Sequence, residues 1–414
     1  MQITFYDSYN ILSKVYAGQF LKQAFLDTQI RPSSKSATHK ICYGVLDKDI
    51  TLSAIIKMLS DKNPKQAIRI IIKIGLYSII YLNRQPYAVT DACVSLCKKL
   101  GKGGTAGYVN AVLRNYLRNS QSILEKINGD FHVKNSCPKF IADKLVSSYG
   151  ERIAEEILTF DKEYTYLRFN DGVDGEKYLT ENGILYEKTP FDNLYNSSGF
   201  KMNGDFYQGV YTFQSIGSVA ICDMINGGDA LLDACSAPGG KSVLLSSKFN
   251  KVIACELHEH RAKLIESYAS RMGKTNVEVE VLDSARQCDK FLNKFDAVLC
   301  DAPCSGTGVI YSNPDIKLNR KESDILSLVD TQKNLLNNLS KYVKVGGYLY
   351  YSTCSVLKEE NSCVIQDFLK KNENYTAEET SSKLQGVKDD YGITFLPHLS
   401  LGAGFYFCKL KRIK

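Results

Sequence analysis

The sequence lacks any apolar run that approaches the roughly 18 to 20 residues of a membrane-spanning helix. Its start, MQITFYDSYNILSK, also lacks a basic leader followed by an apolar run and a small-residue cleavage site. Its content of 44% hydrophobic and 23% charged residues is typical of a globular protein. We therefore expect a cytoplasmic protein without a membrane segment.

The sequence has 13 cysteines but no C-x-x-C pair, and the closest cysteines, Cys93 with Cys97 and Cys300 with Cys304, lie four residues apart. Zinc sites built from cysteine usually need the closer spacing, so we expect no metal site. The odd number of cysteines and their scattered placement argue against a disulfide framework. Most of them are predicted to be reduced residues of the core.

Positive charge is concentrated in the first third of the chain. Residues 1–130 contain 18 Lys and Arg against 8 Asp and Glu, a net charge of +10, whereas the remaining residues carry a net charge of −3. A basic segment of this kind is typical of proteins that bind a polyanion, most simply nucleic acid. A solvated basic surface without a partner is the alternative that charge alone leaves open.

With 414 residues the chain is long enough for two or three domains. Over residues 7–119 apolar residues recur at helical spacing. Breaks in this pattern are predicted near Thr51, near Pro86 and at Gly101–Gly104. The pattern predicts a bundle of five to seven helices, which we assign to residues 1–130.

The middle and C-terminal parts of the chain differ from this bundle. Residues 137–205 combine an amphipathic helix predicted over 138–158 with short β-like pieces such as TYLRFN and GILYEK, which indicates a small α+β adaptor domain. Residues 206–414 alternate apolar strands such as KVIACE and FDAVLCD with helical segments. This alternation predicts a doubly wound, mostly parallel, Rossmann-like α/β sheet, which binds ligands at the carboxyl ends of its strands.

Acidic residues and a glycine turn follow the first strands of the predicted sheet. The first strand ends at Asp233 and runs into DACSAPGGKS, where a glycine pair lets the backbone approach a ligand. A P-loop would need glycine in place of Cys235, and no G-x-G-x-x-G fingerprint is present. Glu256 ends the second strand, where an acid can bind both ribose hydroxyls of an adenosine, and Asp283 ends the third. Each acid alone could be a helix cap, but the ordered set predicts a pocket for S-adenosylmethionine rather than for a pyrophosphate cofactor.

Two thiols and one acid follow the later strands. The fourth strand ends at Asp301 and precedes Cys304, and another strand ends in LYYSTCS with Cys354. Carbon 5 of cytosine is too weak a nucleophile to accept a methyl group directly, and a thiolate that adds to carbon 6 turns the base into an enamine. Asp301 fits the acid that would supply a proton or a strong hydrogen bond at ring nitrogen 3. A lone cysteine at a strand end is more often inert packing, but a pair beside an acid favours catalysis.

The motifs DACSAPGGKS, DAPCSGTG, NPDIKL and YSTCS together resemble the RNA cytosine-5 methyltransferases of the Nop/Sun family, over about residues 206–414. The segment IRIIIKIGLYSIIYLNRQPYAVTDACVSL followed by GYVNAVLRN resembles the NusB-like domain of the bacterial 16S ribosomal RNA methyltransferase B branch. One departure is Ser215, which stands where the family usually carries an aspartate after Gln214.

The resemblance implies that Cys354 is the nucleophile, that Cys304 assists product release and that Asp301 faces the base. It also implies contact with S-adenosylmethionine for Cys235, Ser236, Ala237, Pro238, Gly239, Gly240, Lys241, Glu256, Asp283 and Asp301.

The resemblance further implies methylation of carbon 5 of a cytosine, with 16S ribosomal RNA as the partner. The expected protein is a monomer with an all-α NusB-like RNA-binding bundle at 1–130, an α+β adaptor at 137–205 and a Rossmann-like catalytic domain at 206–414. Two alternatives stay open: the same chemistry on tRNA or 23S rRNA, and a non-catalytic RNA-binding factor of ribosome assembly. The intact cysteines and acids argue against the second alternative, whereas only the NusB-like segment bears on the first.

Overall fold

The computed structural model describes every residue except Glu163. It divides into two compact units. The first unit is helical and contains two stretches of the chain, Met1–Thr159 and Ile310–Arg320. The second unit contains the strands and consists of Phe160–Val309 and Lys321–Lys414.

The α-helices, in chain order, are α1 (Gln2–Tyr16), α2 (Leu21–Leu26), α3 (Lys35–Asp47), α4 (Asp49–Leu59), α5 (Gln66–Ile80), α6 (Pro86–Lys99), α7 (Ala106–Asn128), α8 (Phe131–Lys134), α9 (Lys139–Tyr149), α10 (Glu151–Leu158), α11 (Gly175–Glu181), α12 (Gly204–Tyr207), α13 (Ile216–Asp223), α14 (Gly240–Leu245), α15 (Glu259–Arg271), α16 (Ile316–Asn319), α17 (Glu322–Leu339) and α18 (Ser362–Lys371). Among the helices of the described residues, none combines the length and apolar character required to span a bilayer.

The β-strands, in chain order, are β1 (Tyr166–Phe169), β2 (Glu187–Lys188), β3 (Leu194–Asn196), β4 (Tyr211–Phe213), β5 (Gly228–Asp233), β6 (Phe249–Glu256), β7 (Val277–Val281), β8 (Phe295–Asp301), β9 (Val343–Thr353), β10 (Tyr375–Glu378), β11 (Val387–Lys388), β12 (Gly392–Phe395) and β13 (Phe405–Arg412).

One buried apolar core holds the helices of the first unit together. Side chains of α1 and α3 to α7 contribute to it, including Ile68, Ile71 and Ile72 of α5. The spacing i, i+3, i+4 places these three side chains on one face of the helix, as the sequence periodicity indicates. The prediction of an all-helical N-terminal domain is confirmed, and α1 to α7 fall within it.

The helix break predicted near Thr51 is wrong. Thr51 lies in the first turn of α4 and is buried, and the interruption falls instead at Lys48, between α3 and α4. The Thr51 hydroxyl donates a hydrogen bond to the main-chain carbonyl of Val133. This partner satisfies a side chain that would otherwise favour a cap or a turn over a helix.

The single helix predicted over 138–158 is also wrong, because this stretch forms two helices, α9 and α10. Gly150 separates them with a φ of 79°. Residues with a side chain rarely adopt this backbone conformation, whereas glycine does so without steric cost. The apolar periodicity on both sides of Gly150 concealed the break.

An ion pair anchors the segment Ile310–Arg320 within the first unit. Lys317 is 5% exposed, and its ammonium group donates to the Asp47 carboxylate at 2.6 Å and to the Asp47 main-chain carbonyl at 3.3 Å. Asp315 accepts a hydrogen bond from the main-chain N–H of Leu21 at 3.2 Å. Burial by itself raises the pKa of Asp47, but the charge of Lys317 outweighs this effect and holds the pKa below its usual value.

The smaller sheet of the second unit is antiparallel, with the strand order β2-β3-β1-β4. Leu167, Phe169 and Tyr211 of this sheet form an apolar cluster with Leu179 of α11. Strand β1 lies within the β-like piece TYLRFN and β2 within GILYEK. This sheet leads directly, through β4, to the segment that precedes the larger sheet.

The larger sheet has nine strands in the order β11-β12-β13-β9-β8-β5-β6-β7, and β10 also pairs with β13. Strands β9, β8, β5, β6 and β7 pair in parallel, whereas β10 to β13 pair antiparallel. The predicted Rossmann-like α/β fold is confirmed, although the antiparallel strands make the sheet more mixed than predicted. The chain order reverses at β5, so the crevice at the carboxyl ends of β5 and β8 is where a ligand binds in such sheets.

Both faces of the larger sheet are buried. On β5, Leu231 belongs to one apolar cluster and Leu232 to another, and on β8 Leu299 and Val298 divide in the same way. Neighbouring residues of a strand point to opposite faces, so both faces are covered. Such strands read as continuous apolar runs in the sequence, which explains why their positions could be predicted.

Replacing Asp47 with alanine is expected to lower the free energy of unfolding by about 3 kcal/mol, because it leaves the buried Lys317 ammonium without its carboxylate. The lowered pKa of Asp47 also makes this contribution depend on pH. It is present above the unfolded pKa of about 4 and is lost as the pH falls. Urea titrations of both proteins near pH 7 and below about pH 4 measure the two effects.

Asp143→Ala is the matched control, because it removes an exposed pair with Lys139 from the same unit. Its expected cost is below about 0.5 kcal/mol. Equal losses in the Asp47 and Asp143 variants would show that the buried pair does not stabilise the first unit.

Candidate active site

The turn between β5 and α14 brings the backbone close to α15. Gly239 has a φ of 102°, and a Cβ at this position would lie 3.1 Å from the side chain of Ile265, so both conformation and space favour glycine. The Ser236 hydroxyl lies 2.7 Å from the carbonyl oxygen of Asp233 and 3.1 Å from that of Cys255. These contacts hold the predicted CSAPGGK segment against the ends of β5 and β6.

Asp233 ends β5 and is buried, with only one of its two carboxylate oxygens paired. Its Oδ2 accepts a hydrogen bond from the Ser242 hydroxyl at 2.5 Å, while its Oδ1 has no partner among the described residues. Burial raises the pKa of Asp233 to about 6. Because an unpaired buried oxygen is costly, this arrangement fits a ligand that brings N–H donors or positive charge.

A pocket of about 190 Å³ lies at this turn. Besides Asp233, it is lined by part of the predicted cofactor set, namely Cys235, Ser236, Ala237, Pro238, Gly240, Lys241 and Asp301. The rest of the lining was not predicted from the sequence and consists of Phe213, Gln214, Ser215, Ser218 and Tyr268. Most of these missed residues belong to the segment between the two sheets.

Gln214 connects the smaller sheet to the glycine turn. Its Nε2 donates to the main-chain carbonyl of Gly240 at 3.0 Å, and its Oε1 accepts from Nε of Arg168 on β1 at 2.5 Å. In the sequence, the segment QSIGS differs from the family pattern by the aspartate that it lacks at Ser215, and no role was predicted for Gln214. A glutamine just before α13, the helix that precedes the first strand of the α/β sheet, was the available signal.

Glu256 and Asp283 lie near the turn but do not line this pocket. Glu256 ends β6, is 4% exposed, and its Oε1 accepts from the main-chain N–H of His258 at 3.1 Å and from the Arg261 side chain at 3.4 Å. Asp283 was predicted at the end of its strand, but β7 ends at Val281. The contact of these two acids with the cofactor stays a prediction.

Asp301 ends β8 and has both carboxylate oxygens paired. The Lys241 ammonium donates to Oδ2 at 2.6 Å, and the Ser352 hydroxyl donates to Oδ1 at 2.7 Å. Burial by itself lowers the pKa of Lys241, but the charge and hydrogen bond of Asp301 raise it above its usual value. Lys241 is therefore a charged donor that ties the glycine turn to the end of β8.

The two predicted catalytic cysteines lie against each other. Their sulfur atoms are 2.9 Å apart, and the main-chain N–H of Cys354 donates to Sγ of Cys304 at 3.2 Å. Both are free thiols, and Cys354 is exposed whereas Cys304 is half-buried. The hydrogen bond between them lowers the pKa of Cys354 and raises that of Cys304. These pKa shifts favour Cys354 as the thiolate of the pair and Cys304 as the hydrogen-bond donor.

The parallel pairing of β8 with β9 brings the acid and the thiols to one edge of the sheet. Asp301 pairs in register with Ser352, and the loops that begin after the two strands carry Cys304 and Cys354. Thus the predicted set of one acid and two thiols is brought together. Within the described part of the chain, no group of three or more His, Cys, Asp or Glu is placed to hold a metal ion.

Two family models match the chain. The NusB family model matches residues 2–118, in the helical unit. The model described as 16S rRNA methyltransferase RsmB/F matches residues 222–411, which contain the glycine turn and both cysteines.

Curated relatives match over nearly the whole length. The ribosomal RNA small subunit methyltransferase B of Pasteurella multocida is 32% identical over 426 aligned residues, which cover 97% of this chain and 94% of that protein. The probable ribosomal RNA small subunit methyltransferase B of Bacillus subtilis is 28% identical, with 97% of this chain and 95% of that protein covered.

Solved structures share the fold. The crystal structure of PH0851 superposes with a TM-score of 0.81 at 20% identity and covers 100% of this chain and 99% of that one. The structure of NSun6 from Pyrococcus horikoshii with SFG has a TM-score of 0.59 at 20% identity, covering 67% of this chain and 98% of that one. At this identity the likeness shows the fold alone.

The Rossmann-like sheet, its glycine turn and the match to the RsmB/F family define an S-adenosylmethionine-dependent methyltransferase. The chain belongs to the ribosomal RNA small subunit methyltransferase B family. The pocket residues fit this cofactor, because the unpaired Oδ1 of Asp233 can accept from the amino group of a cationic ligand.

Iodoacetamide is expected to modify Cys354 faster than Cys304 near pH 7, because the thiolate is the reactive species and the pKa of Cys354 is lowered. Cys304→Ala should slow the reaction of Cys354 at least about threefold, since it removes the hydrogen bond that stabilises the thiolate. Peptide mass spectrometry measures both rates. Cys363, an exposed thiol of α18, is the internal reference; an unchanged rate at Cys354 would contradict the role of the hydrogen bond.

Affinity for S-adenosylmethionine is expected to fall as the pH drops below about 6, where the Asp233 carboxylate takes up a proton. Asp233→Asn, which keeps the shape and removes the charge, should weaken binding about tenfold near pH 7. Its affinity should no longer vary between about pH 5 and pH 7. Isothermal titration calorimetry measures these affinities.

The control for this measurement is Asp229→Asn, which alters an exposed carboxylate at the other end of β5. It should keep both the affinity and the pH dependence of the unchanged protein. If Asp233→Asn kept that pH dependence, another group would be responsible for it.

Proposed function

We propose that the protein transfers a methyl group from S-adenosylmethionine to carbon 5 of a cytosine in 16S ribosomal RNA, through a covalent bond between Cys354 and the base. The observation that carries the proposal is the pair of thiols, 2.9 Å apart, beside the Asp301–Lys241 pair. Membership of the family supports methyl transfer to RNA. The thiol pair supports this particular chemistry, because a carbon nucleophile as weak as cytosine needs covalent activation.

Cys354 is assigned as the nucleophile because it is the exposed thiol and the one with the lowered pKa. Its thiolate forms a bond from Sγ to carbon 6, the carbon 5–carbon 6 double bond shifts to carbon 4–carbon 5, and the π electrons of the carbon 4–nitrogen 3 bond move to nitrogen 3. Asp301, held by Lys241 and Ser352, supplies the proton or hydrogen bond at nitrogen 3. The resulting enamine is nucleophilic at carbon 5, and S-adenosylmethionine supplies the methyl group.

Cys304 is assigned to product release. When the carbon 5 proton is removed, its electron pair re-forms the double bond to carbon 6. The bond from carbon 6 to Sγ then breaks, and its electrons return to Cys354 as a thiolate. The S–H of Cys304 contacts the Cys354 sulfur, so it can stabilise the departing thiolate by hydrogen bonding.

The RNA substrate is proposed from the relatives and from charge. The curated relatives are named for the small-subunit ribosomal RNA, and residues 1–130 carry a net charge of +10. We assign RNA phosphate contacts to residues 1–130, an adaptor role to 137–205 and catalysis to 206–414. The target cytosine has to leave its stack, which costs a few kcal/mol and which phosphate contacts can offset. The cytoplasmic location and the monomeric state stay predictions.

Serine replacements of the two cysteines are expected to block different steps of the reaction. Cys354→Ser should lose methyl transfer at least about 10³-fold, because a hydroxyl does not supply the thiolate. Cys304→Ser should still form the covalent bond but should accumulate a protein–RNA adduct that survives denaturing electrophoresis. Tritium transfer from labelled S-adenosylmethionine to a 16S rRNA transcript, with gel analysis, measures both.

Cys363→Ser is the control, because Cys363 is exposed in the same unit but lies outside the thiol pair. It should behave like the unchanged protein. Full activity of Cys354→Ser would refute the covalent mechanism. Bisulfite sequencing of rRNA from cells with and without the gene tests the substrate, and an unchanged 16S pattern with a lost site in tRNA or 23S rRNA would reassign it.

A further inference from the structure

A fully buried carboxylate holds the loop that carries Cys304. Glu360 ends the 3-10 turn Lys358–Glu360 and is 0% exposed. Its Oε1 accepts from the main-chain N–H of Ser305 at 2.8 Å and from the Gln332 amide at 3.1 Å. Its Oε2 accepts from the Ser305 hydroxyl at 2.5 Å. Burying a carboxylate is costly unless hydrogen bonds compensate, and these three contacts do so.

The contacts of Glu360 fix the chain on both sides of Cys304. Ser305, the next residue, gives both its N–H and its hydroxyl to the carboxylate. The Gln332 amide on α17 donates to Glu360 and also to the carbonyl of Pro303, the preceding residue, at 2.9 Å. The peptide units before and after the thiol are therefore held by one pair of buried side chains.

The turn that carries Glu360 is also bonded to the strand and loop of the other cysteine. The Tyr351 hydroxyl on β9 donates to the main-chain carbonyl of Glu360 at 2.6 Å. The next residue, Asn361, accepts from the Thr353 hydroxyl at 2.6 Å and donates to the carbonyl of Ser355 at 2.9 Å. One short turn thus sets the positions of both cysteine loops.

We propose that Glu360 is a positioning residue that fixes the Cys304 sulfur within hydrogen-bond distance of the Cys354 sulfur. This inference rests on the proposed function, in which Cys304 stabilises the departing thiolate. Electrostatics does not explain an acid here, because the charge of Glu360 opposes the formation of either thiolate. Hydrogen bonding explains the acid. A carboxylate has only acceptors, and its neighbours here, the Ser305 N–H, the Ser305 hydroxyl and the Gln332 amide, are donors.

Two substitutions distinguish the effect of Glu360 on the position of Cys304 from the effect of its negative charge. Glu360→Gln removes the charge but keeps an acceptor oxygen for Ser305 and Gln332, so alkylation of Cys354 by iodoacetamide should shift to lower pH. Glu360→Ala releases the loop and the hydrogen bond from Cys304, so the same reaction should shift to higher pH. Peptide mass spectrometry across a pH series measures the profiles. Shifts to lower pH in both variants, or no shift in either, would overturn the proposal.

Thermal melting shows whether each variant is folded, and Glu373→Ala, at an exposed carboxylate of the same unit, is the control with an unchanged profile. If Glu360→Ala does not fold, Ser305→Ala provides the second test. It removes the contact with Oε2, together with longer hydroxyl contacts to Thr307 and Ser355 at 3.3 Å, and keeps the main-chain contact with Oε1. Ser305→Ala should shift alkylation of Cys354 to higher pH by a smaller amount. A folded Ser305→Ala with an unchanged profile would overturn the proposal in that case.

The RNA reaction distinguishes this inference from the proposed function. With a 16S rRNA transcript, Glu360→Ala should accumulate about tenfold more covalent adduct than the unchanged protein, because a displaced Cys304 no longer assists product release. Glu360→Gln should stay close to the unchanged protein. If no adduct forms even with Cys304→Ser, the proposed function fails. If Cys304→Ser forms the adduct and Glu360→Ala does not, only the role of Glu360 fails.

Discussion

The parallel pairing of β8 with β9 is the constraint on which the site depends. It places Asp301 opposite Ser352, so that the loops after the two strands begin side by side and cysteines 50 residues apart in sequence come within 2.9 Å. A slip of one residue would turn each side chain to the opposite face of the sheet. Because both faces are packed against other side chains, such a slip would exchange the residues of the two faces and disrupt the packing on each. The packing of the sheet therefore determines the distance between the two sulfur atoms.

Two acids of the site, Asp233 and Asp301, end the neighbouring strands β5 and β8 but differ in their hydrogen-bond partners. Both oxygens of Asp301 are paired, one with a lysine ammonium, whereas one oxygen of Asp233 is buried and unpaired. The unpaired oxygen places negative charge at the wall of the pocket, which favours a cationic cofactor. The pairing of Asp301 fixes the orientation of its carboxyl group, as the proposed contact with nitrogen 3 of the base requires. The same residue type thus serves two purposes because its neighbours differ.

Much of this arrangement could be predicted from the sequence, and the exceptions have physical causes. The strands of the α/β sheet were predictable because burial on both faces produces continuous apolar runs. Asp301, Cys304 and Cys354 follow such runs directly. Gln214 and Glu360 were not predicted, because each acts through partners that are distant in the sequence. Gln214 contacts Arg168 from the smaller sheet, and Glu360 contacts a loop 55 residues before it.

The sequence by itself determined which chemical groups end the strands: a glycine turn, several acids and two thiols. Local residue order is sufficient for this, since strand ends and turns depend on nearby residues. The tertiary structure alone decided which groups meet and which are neutralised. It determined that Lys241 pairs with Asp301, that the sulfur of Cys304 lies against that of Cys354, and that Asp283 lies beyond the end of β7. These outcomes depend on strand order and register, which arise from packing between segments far apart in the chain.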